Sequence, residues 1–182
     1  MNHENGRAKI FSARAIALVG IMAATMECGK LALSFMPNIE VVTLLCALYG
    51  YVFGIYGVVA AAIFVCIEPL IYGFGGWLIT YLLYWPAVAF IFALLGKAKI
   101  RGRVISCLIA VGLTFSFGII SSVVDAAFLI GLNSSYFKAL PIFYLRGVVF
   151  YAVHIVSNAA IFLALYPPLL KRLEKIRHTI QI

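Results

Sequence analysis

Long runs of apolar residues, separated by short polar stretches, make up most of the chain. The runs occupy residues 10–34, 40–55, 57–72, 77–95, 104–131 and 140–169. An α-helix needs roughly 20 apolar residues to cross a bilayer, and a chain of this length accommodates about six crossings with short loops. The pattern predicts an all-α integral membrane protein, a compact bundle of six transmembrane helices that forms a single membrane domain over residues 1–182.

Composition agrees with this prediction. Of the 182 residues, 65% are hydrophobic and only 11% are charged, with a mean hydropathy of +1.10. A soluble domain is nearer about half apolar and about a quarter charged. We expect no separate soluble domain. We also expect no cleavable signal peptide, because the first apolar run is too long and lacks a small-residue cleavage site.

The positive charge of the chain follows its topology. Eleven of the fourteen basic residues lie in three clusters at the ends of apolar runs: Arg7, Lys9 and Arg14; Lys97, Lys99, Arg101 and Arg103; Lys171, Arg172, Lys175 and Arg177. Cytoplasmic flanks of membrane helices are enriched in Lys and Arg. Six crossings place all three clusters on one side, with both termini cytoplasmic, whereas five or seven would not. The net charge of +8 therefore indicates orientation in the plasma membrane and no nucleic-acid partner.

Ionisable side chains concentrate toward the opposite, outer side: Glu27, Lys30, Glu40, Glu68, Asp125, Arg146 and His154. A charge in hydrocarbon costs about 2.5–3.5 kcal/mol, so such groups normally face a protein interior or a wet cavity. The predicted outer loops, 34–38, 72–77 and 131–140, are rich in turn-forming residues. Together these features predict a polar cavity in the outer half. Glu27 and Lys30, three residues apart, can also pair with each other on the first helix.

Aromatic residues follow the glycine-rich stretch YGFGG. Trp77, Tyr81 and Tyr84 are spaced by four and three residues, which places them on one helical face. One interpretation is an interfacial aromatic belt. The other is a wall of rings that holds a flat or heterocyclic ligand.

Motifs for catalysis and for metal binding are missing. The four cysteines are scattered singly, without the spacing of a metal site. YGFGG lacks the Lys-Ser/Thr ending of a P-loop, and neither GxSxG nor HExxH occurs. We therefore expect a chain that is not an enzyme, carries no metal or cofactor, and does not itself hydrolyse ATP.

Small residues form a stripe along the first helix. Ala13, Ala17, Gly20 and Ala24 are spaced by four, three and four residues, and so share one face. Small faces allow helices to approach closely in a membrane. The stripe predicts either contact with a separate partner protein or packing against a neighbouring helix of the same bundle.

Three stretches carry a resemblance to a known family: ARAIALVGIMAATM, PNIEVVTLLCALYGYVFG and IYGFGGWLITYLLYW. With the basic tail and six spans, they resemble the substrate-binding S-component of energy-coupling factor (ECF) transporters. In that family an Ala-x-x-x-Ala motif of helix 1 contacts the membrane coupling subunit. Ala13 and Ala17 match it literally, while Gly20 and Ala24 extend it with glycine in the first place.

The resemblance implies a binding protein without catalytic activity. An S-component captures a vitamin or related micronutrient at its outer face and docks on a transmembrane coupling protein with two ATPase subunits, which hydrolyse ATP. The outer loops cover the ligand. The residues expected to line the site here are Asn38, Glu40, Glu68, Tyr72, Trp77, Tyr81, Tyr84, Asp125, Asn133, Arg146, His154 and Asn158. Arg146 is the candidate for a ligand carboxylate or phosphate, since a guanidinium binds either bidentately.

Two other classes of function stay open at the level of sequence. A stand-alone secondary transporter or channel would move its substrate without ATPases. A small intramembrane enzyme would use His154 or Asp125 as a general base, although no recognisable spacing supports one. The identity of the micronutrient is not readable from the residues.

Overall fold

The computed structural model describes residues 12–180, which form six α-helices. They are α1 (Ala13–Ala32), α2 (Val42–Phe53), α3 (Ile55–Tyr72), α4 (Trp77–Lys97), α5 (Arg103–Ile130) and α6 (Tyr136–Ile180). Each predicted apolar run coincides with one helix, which confirms the all-α class and the count of six. The main difference is α6, which continues through the basic C-terminal cluster and was predicted to end near residue 169.

Five of the helices are long and apolar enough to span a membrane, so the chain is a multi-pass membrane protein. The exception is α2, whose 12 residues extend about 18 Å, against roughly 30 Å of hydrocarbon. All residues of α2 except Leu45 are buried. This short helix is therefore the centre of the bundle, enclosed by the longer ones.

A tight break separates α2 from α3. Gly54 has a φ of +61° and ends α2, with its N–H donating to the Gly50 carbonyl at 2.9 Å. Glycine adopts this conformation without the steric cost that a Cβ would bring. The chain reverses there within one residue, so α2 and α3 pack side by side.

Cross-helix contacts define the direction of each helix. The Thr25 and Tyr49 hydroxyls lie 2.7 Å apart, which brings the middle of α1 against the last turns of α2. Tyr84 of α4 likewise reaches Thr114 of α5, and Cys107 of α5 reaches Ala159 of α6. Successive helices therefore run up and down, with the odd-numbered and even-numbered helices pointing in opposite directions.

Two of the three basic clusters meet at one end of the bundle, which we call the basic end. Arg101, between α4 and α5, pairs with Glu174 near the end of α6, and Arg177 donates to the Val52 carbonyl of α2 at 2.7 Å. Helix α1 begins at the same end with Arg14. This arrangement agrees with the predicted topology; Arg7 and Lys9 of the first cluster lie outside the described residues.

The small-residue stripe faces outward. Ala13, Ala17, Gly20 and Ala24 are all exposed, and a Cβ added at Gly20 would meet nothing within 4 Å. No helix among residues 12–180 covers the stripe. The described helices therefore give no support to the interpretation that it packs inside the same bundle, and contact with a partner stays a prediction.

Candidate functional site

A cavity of about 150 Å³ opens at the end opposite the basic end, which we call the acidic end. It lies between the α1–α2 connection and helices α4, α5 and α6. We call it the site cavity. Its lining consists of Lys30, Asn38, Ile39, Glu40, Val42, Tyr81, Trp85, Phe117, Phe150 and His154.

Glu40 is the centre of a hydrogen-bond network beneath this cavity. Its Oε2 accepts from the Thr43 backbone N–H at 2.8 Å, and its Oε1 from the Thr43 hydroxyl at 2.6 Å. From α6, His154 Nε2 lies 3.0 Å and Asn158 Nδ2 3.1 Å from Oε1. The carboxylate therefore joins the start of α2 to the middle of α6.

The network continues into the core. Asn158 Nδ2 also donates to the Thr114 hydroxyl of α5 at 3.2 Å, and that hydroxyl donates to the Ala110 carbonyl at 2.9 Å. The Tyr84 hydroxyl of α4 lies 3.5 Å from Thr114 Oγ1. Because His154 and Asn158 are almost completely buried, these bonds satisfy groups that water does not reach.

Charge and hydrogen bonding keep Glu40 ionised. It lies outside the helices, in the α1–α2 connection, where burial by itself would raise the pKa of its carboxyl. The hydrogen bond with His154, the charge of His154 and the two bonds from Thr43 outweigh burial, so that the pKa lies below its usual value. The cavity floor thus carries a fixed acceptor.

The α1–α2 connection is held over the cavity by α6. Asn38 adopts a φ of +66°, a left-handed conformation that Asn tolerates better than most residues. Its carbonyl accepts a hydrogen bond from the Ser157 hydroxyl at 3.1 Å. This bond and those of Glu40 fix both ends of a three-residue segment at the cavity mouth.

Aromatic rings form one wall of the cavity. Trp77 and Tyr81 meet edge to face with centroids 5.2 Å apart, and Tyr81 contacts Trp85 in the same way at 5.8 Å. Phe117 of α5 stands edge to face against the His154 ring at 5.4 Å. Such contacts favour rigid ring positions, so the rings of this wall support one another.

Lys30 pairs differently from the sequence prediction. It forms its ion pair with Glu68 of α3, and its ammonium lies 4.1 Å from the centre of the Tyr72 ring. Both carboxylate oxygens of Glu27 are buried, and its carboxyl group lies against that of Glu68. The predicted Glu27–Lys30 pair is therefore replaced by a pair between helices, which was not visible in helical spacing.

The structure brings nine of the twelve predicted site residues together. Asn38, Glu40, Tyr81 and His154 line the cavity; Tyr84 and Asn158 lie behind it in the network. Glu68 and Tyr72 join it through Lys30, and Trp77 joins it through Tyr81.

Three predicted site residues do not line the cavity. Asp125 accepts from Ser121 within α5 at 3.3 Å. Asn133 is exposed and closes a turn by donating to the Ile130 carbonyl at 2.8 Å. Arg146 is exposed on α6, with its guanidinium 5.7 Å from the centre of the Phe143 ring. The predicted role of Arg146 in holding a ligand anion therefore lacks support from its position.

Sequence reasoning missed several residues of the site. Thr43 follows Glu40 by three residues, at the start of α2, where backbone N–H groups lack partners within the helix and can bond a preceding acceptor, so a local signal existed. Thr114 and Phe117 stand in a mainly apolar part of α5. Their role depends on the packing of α5 against α4 and α6, for which a single sequence holds no signal.

Metal binding finds no support in the described part of the chain, where no three His, Cys, Asp or Glu side chains cluster as ligands. Comparison with known protein families, characterised proteins and solved structures finds no match to this chain. The site must therefore be interpreted from its own chemistry.

Proposed function

We propose that this chain is the substrate-binding subunit of an ECF-type importer in the plasma membrane. It captures a vitamin or related micronutrient at the acidic end and delivers it to a coupling protein with two ATPase subunits. The observation that carries the proposal is the Glu40–His154–Asn158 network, a buried polar floor beneath an aromatic-walled cavity. Such a combination of apolar walls and few convergent polar groups is typical of small-molecule sites.

The charge and the aromatic rings of the cavity lining restrict the class of ligand that fits it. Glu40 supplies negative charge, and the two basic side chains of the lining are already engaged, Lys30 with Glu68 and His154 with Glu40. A multiply anionic ligand would therefore meet repulsion from Glu40. A neutral or cationic ring compound, held by stacking on Tyr81 and by hydrogen bonds at the polar floor, fits this lining.

Ligand entry requires movement of the α1–α2 connection. The cavity of about 150 Å³ is smaller than the roughly 300–1,000 Å³ of ligand pockets. Residues 33–41 form no helix, and the contacts of Asn38 and Glu40 with α6 hold them in place. Release of the Ser157–Asn38 bond would enlarge the cavity while Glu40 kept its contacts.

Coupling to the partner uses the exposed stripe of α1. Ala13, Ala17, Gly20 and Ala24 present a smooth helical face to the outside of the bundle. A partner helix can approach such a face closely in the membrane. The stripe therefore supports docking of the coupling protein.

Mass spectrometry of small molecules released from the detergent-purified chain, expressed in rich medium, tests the proposal. We expect one ring compound in near-stoichiometric amount. The Tyr81→Leu variant should lose it, whereas Phe74→Leu, at an exposed aromatic residue of the α3–α4 connection, should retain it.

A different result would redirect the assignment. An empty preparation that also shows no thermal shift with a panel of vitamins would contradict the proposal. Flux of substrate in liposomes without ATPases would then identify a secondary transporter or channel, and turnover by the isolated chain would identify an enzyme.

A further inference from the structure

A second and larger cavity, of about 660 Å³, lies at the basic end. It is formed where α2 and α4 end and α6 makes its last turns, and we call it the basic cavity. Its lining includes Lys99, Arg101, Glu174, Arg177 and His178. The proposed import of a micronutrient makes no use of it.

Positive charge prevails in the basic cavity. Among the described residues of the lining, Lys99, Arg101 and Arg177 stand against the carboxylate of Glu174. Glu174 pairs with Arg101, whose guanidinium has five N–H donors and can serve a second acceptor. The hydroxyl of Tyr51 lies beside the Arg101 guanidinium at the same cavity. The lining thus offers donors and net positive charge to an anion.

The backbone around the cavity is firmly placed. A Cβ at Gly96 would lie 2.2 Å from the Tyr51 carbonyl oxygen, so α2 and α4 touch there at backbone distance. Lys99 adopts a φ of +56°, and its N–H donates to the Gly96 carbonyl at 3.1 Å. A lysine in this left-handed conformation is uncommon. This conformation turns the chain away from the axis of α4 at Lys99, which lines the cavity.

Apolar side chains stand beside the basic groups. Ile100 and Val104 follow Lys99 and Arg101 along the chain, and Ile176 precedes Arg177; all three are exposed. A soluble anion would gain nothing from these neighbours. A molecule with an anionic head and apolar tails would satisfy both.

We propose that the basic cavity binds the phosphate of an anionic membrane lipid, whose acyl chains lie along the exposed apolar residues of the basic end. Arginine binds phosphate oxygens bidentately, and lysine binds them as a point charge. The predicted orientation places this end at the cytoplasmic leaflet, where anionic headgroups collect and basic pockets between helices bind them. The proposal does not depend on the identity of the imported ligand.

Native mass spectrometry of the delipidated chain, titrated with phosphatidylglycerol or phosphatidylcholine, provides the test. We expect retained phosphatidylglycerol, and affinity at least about tenfold lower in Lys99→Gln/Arg101→Gln, since this variant removes two direct charge-assisted contacts with the phosphate. Lys171→Gln/Arg172→Gln removes the same charge from exposed positions of α6 that do not line the cavity, and should bind like wild type.

Equal losses in the two double variants would overturn the proposal, because they would show attraction to surface charge alone. Titration with inorganic phosphate separates the two sources of phosphate. If phosphate alone binds as tightly as the lipid, and with the same dependence on Lys99 and Arg101, the assignment to a lipid is wrong. The single variant Lys99→Gln, which leaves the Arg101–Glu174 pair intact, repeats the test if the double variant does not fold.

Discussion

Glu40 shows how a single acid can organise a membrane protein site. Its carboxylate receives four contacts, two from Thr43 and one each from His154 and Asn158. Four polar contacts favour the ionised form of this carboxyl group. Each of the contacting groups in turn has Glu40 as a hydrogen-bond partner. The residue therefore links stability of the helix bundle to the polarity of the cavity floor.

Replacement of Glu40 by glutamine should destabilise the protein. The amide keeps the shape, but its NH₂ group would face a donor from His154, Asn158 or Thr43, and a buried donor left unsatisfied costs about 1–3 kcal/mol. We expect a clearly lower midpoint of thermal unfolding for Glu40→Gln in detergent. Glu174→Gln, which breaks a more exposed ion pair, should change little. Equal midpoints for the two variants would show that the network is not stabilising.

The contacts of individual site residues were the part of the structure that the sequence indicated least. Glu40, His154 and Asn158 were recognised because polar groups stand out in apolar runs, and physical cost restricts where such groups can lie. Their convergence on one another, across more than 110 residues of sequence, needed the packing of α2 against α6. Arg146 is just as conspicuous in its apolar run. Its long side chain can reach the membrane surface, however, and the sequence does not tell this exposed position from a buried one.

At the scale of elements, the close approach of α2 to α4 sets the position of the aromatic wall. A Cβ at Gly50 would lie 2.0 Å from the Ala89 carbonyl oxygen. This backbone is closely enclosed, since residues 46–53 of α2 are all buried. Glycine at this position is therefore required by contact and not by helix propensity.

Gly50→Ala should separate α2 from α4 and destabilise the bundle, by about 1–3 kcal/mol as in other overpacked cores. Gly112 of α5 provides a matched control, because a Cβ there meets nothing within 4 Å and alanine favours a helix. Thermal unfolding in detergent should give a lower midpoint for Gly50→Ala and an unchanged or higher one for Gly112→Ala. The same midpoint in both variants would mean that the helices adjust at no cost.

Helix positions were predictable from hydropathy, because a helix that crosses the hydrocarbon needs a long run of apolar side chains. Two features of the elements were not. Helix α2 is too short to cross the membrane by itself. Its sequence is nevertheless as apolar as that of the longer helices, because protein surrounds it on nearly all sides. Helix α6 continues to Ile180 through charged residues, which hydropathy cannot distinguish from an irregular tail.

Across the whole molecule, the proposed functions are divided between two ends and one face. The acidic end holds the site cavity, the basic end holds the larger cationic cavity, and the exposed stripe of α1 extends between them. The site cavity is internal, whereas the stripe of α1 lies on the surface. Substitutions should therefore separate the proposed ligand capture from the proposed partner docking. This separation distinguishes an importer subunit from a self-contained channel.

Ala17→Arg should abolish assembly with a coupling protein while ligand retention persists, because a long cation on the stripe keeps a partner helix at a distance. Ala87→Arg places the same change at an exposed alanine of α4 and controls for the cost of a lipid-facing arginine. Co-purification with the coupling protein and its ATPases, measured together with the bound small molecule, checks both properties. Loss of the ligand in Ala17→Arg with assembly preserved would reverse the assignment, since the stripe would then act on the site and not on a partner.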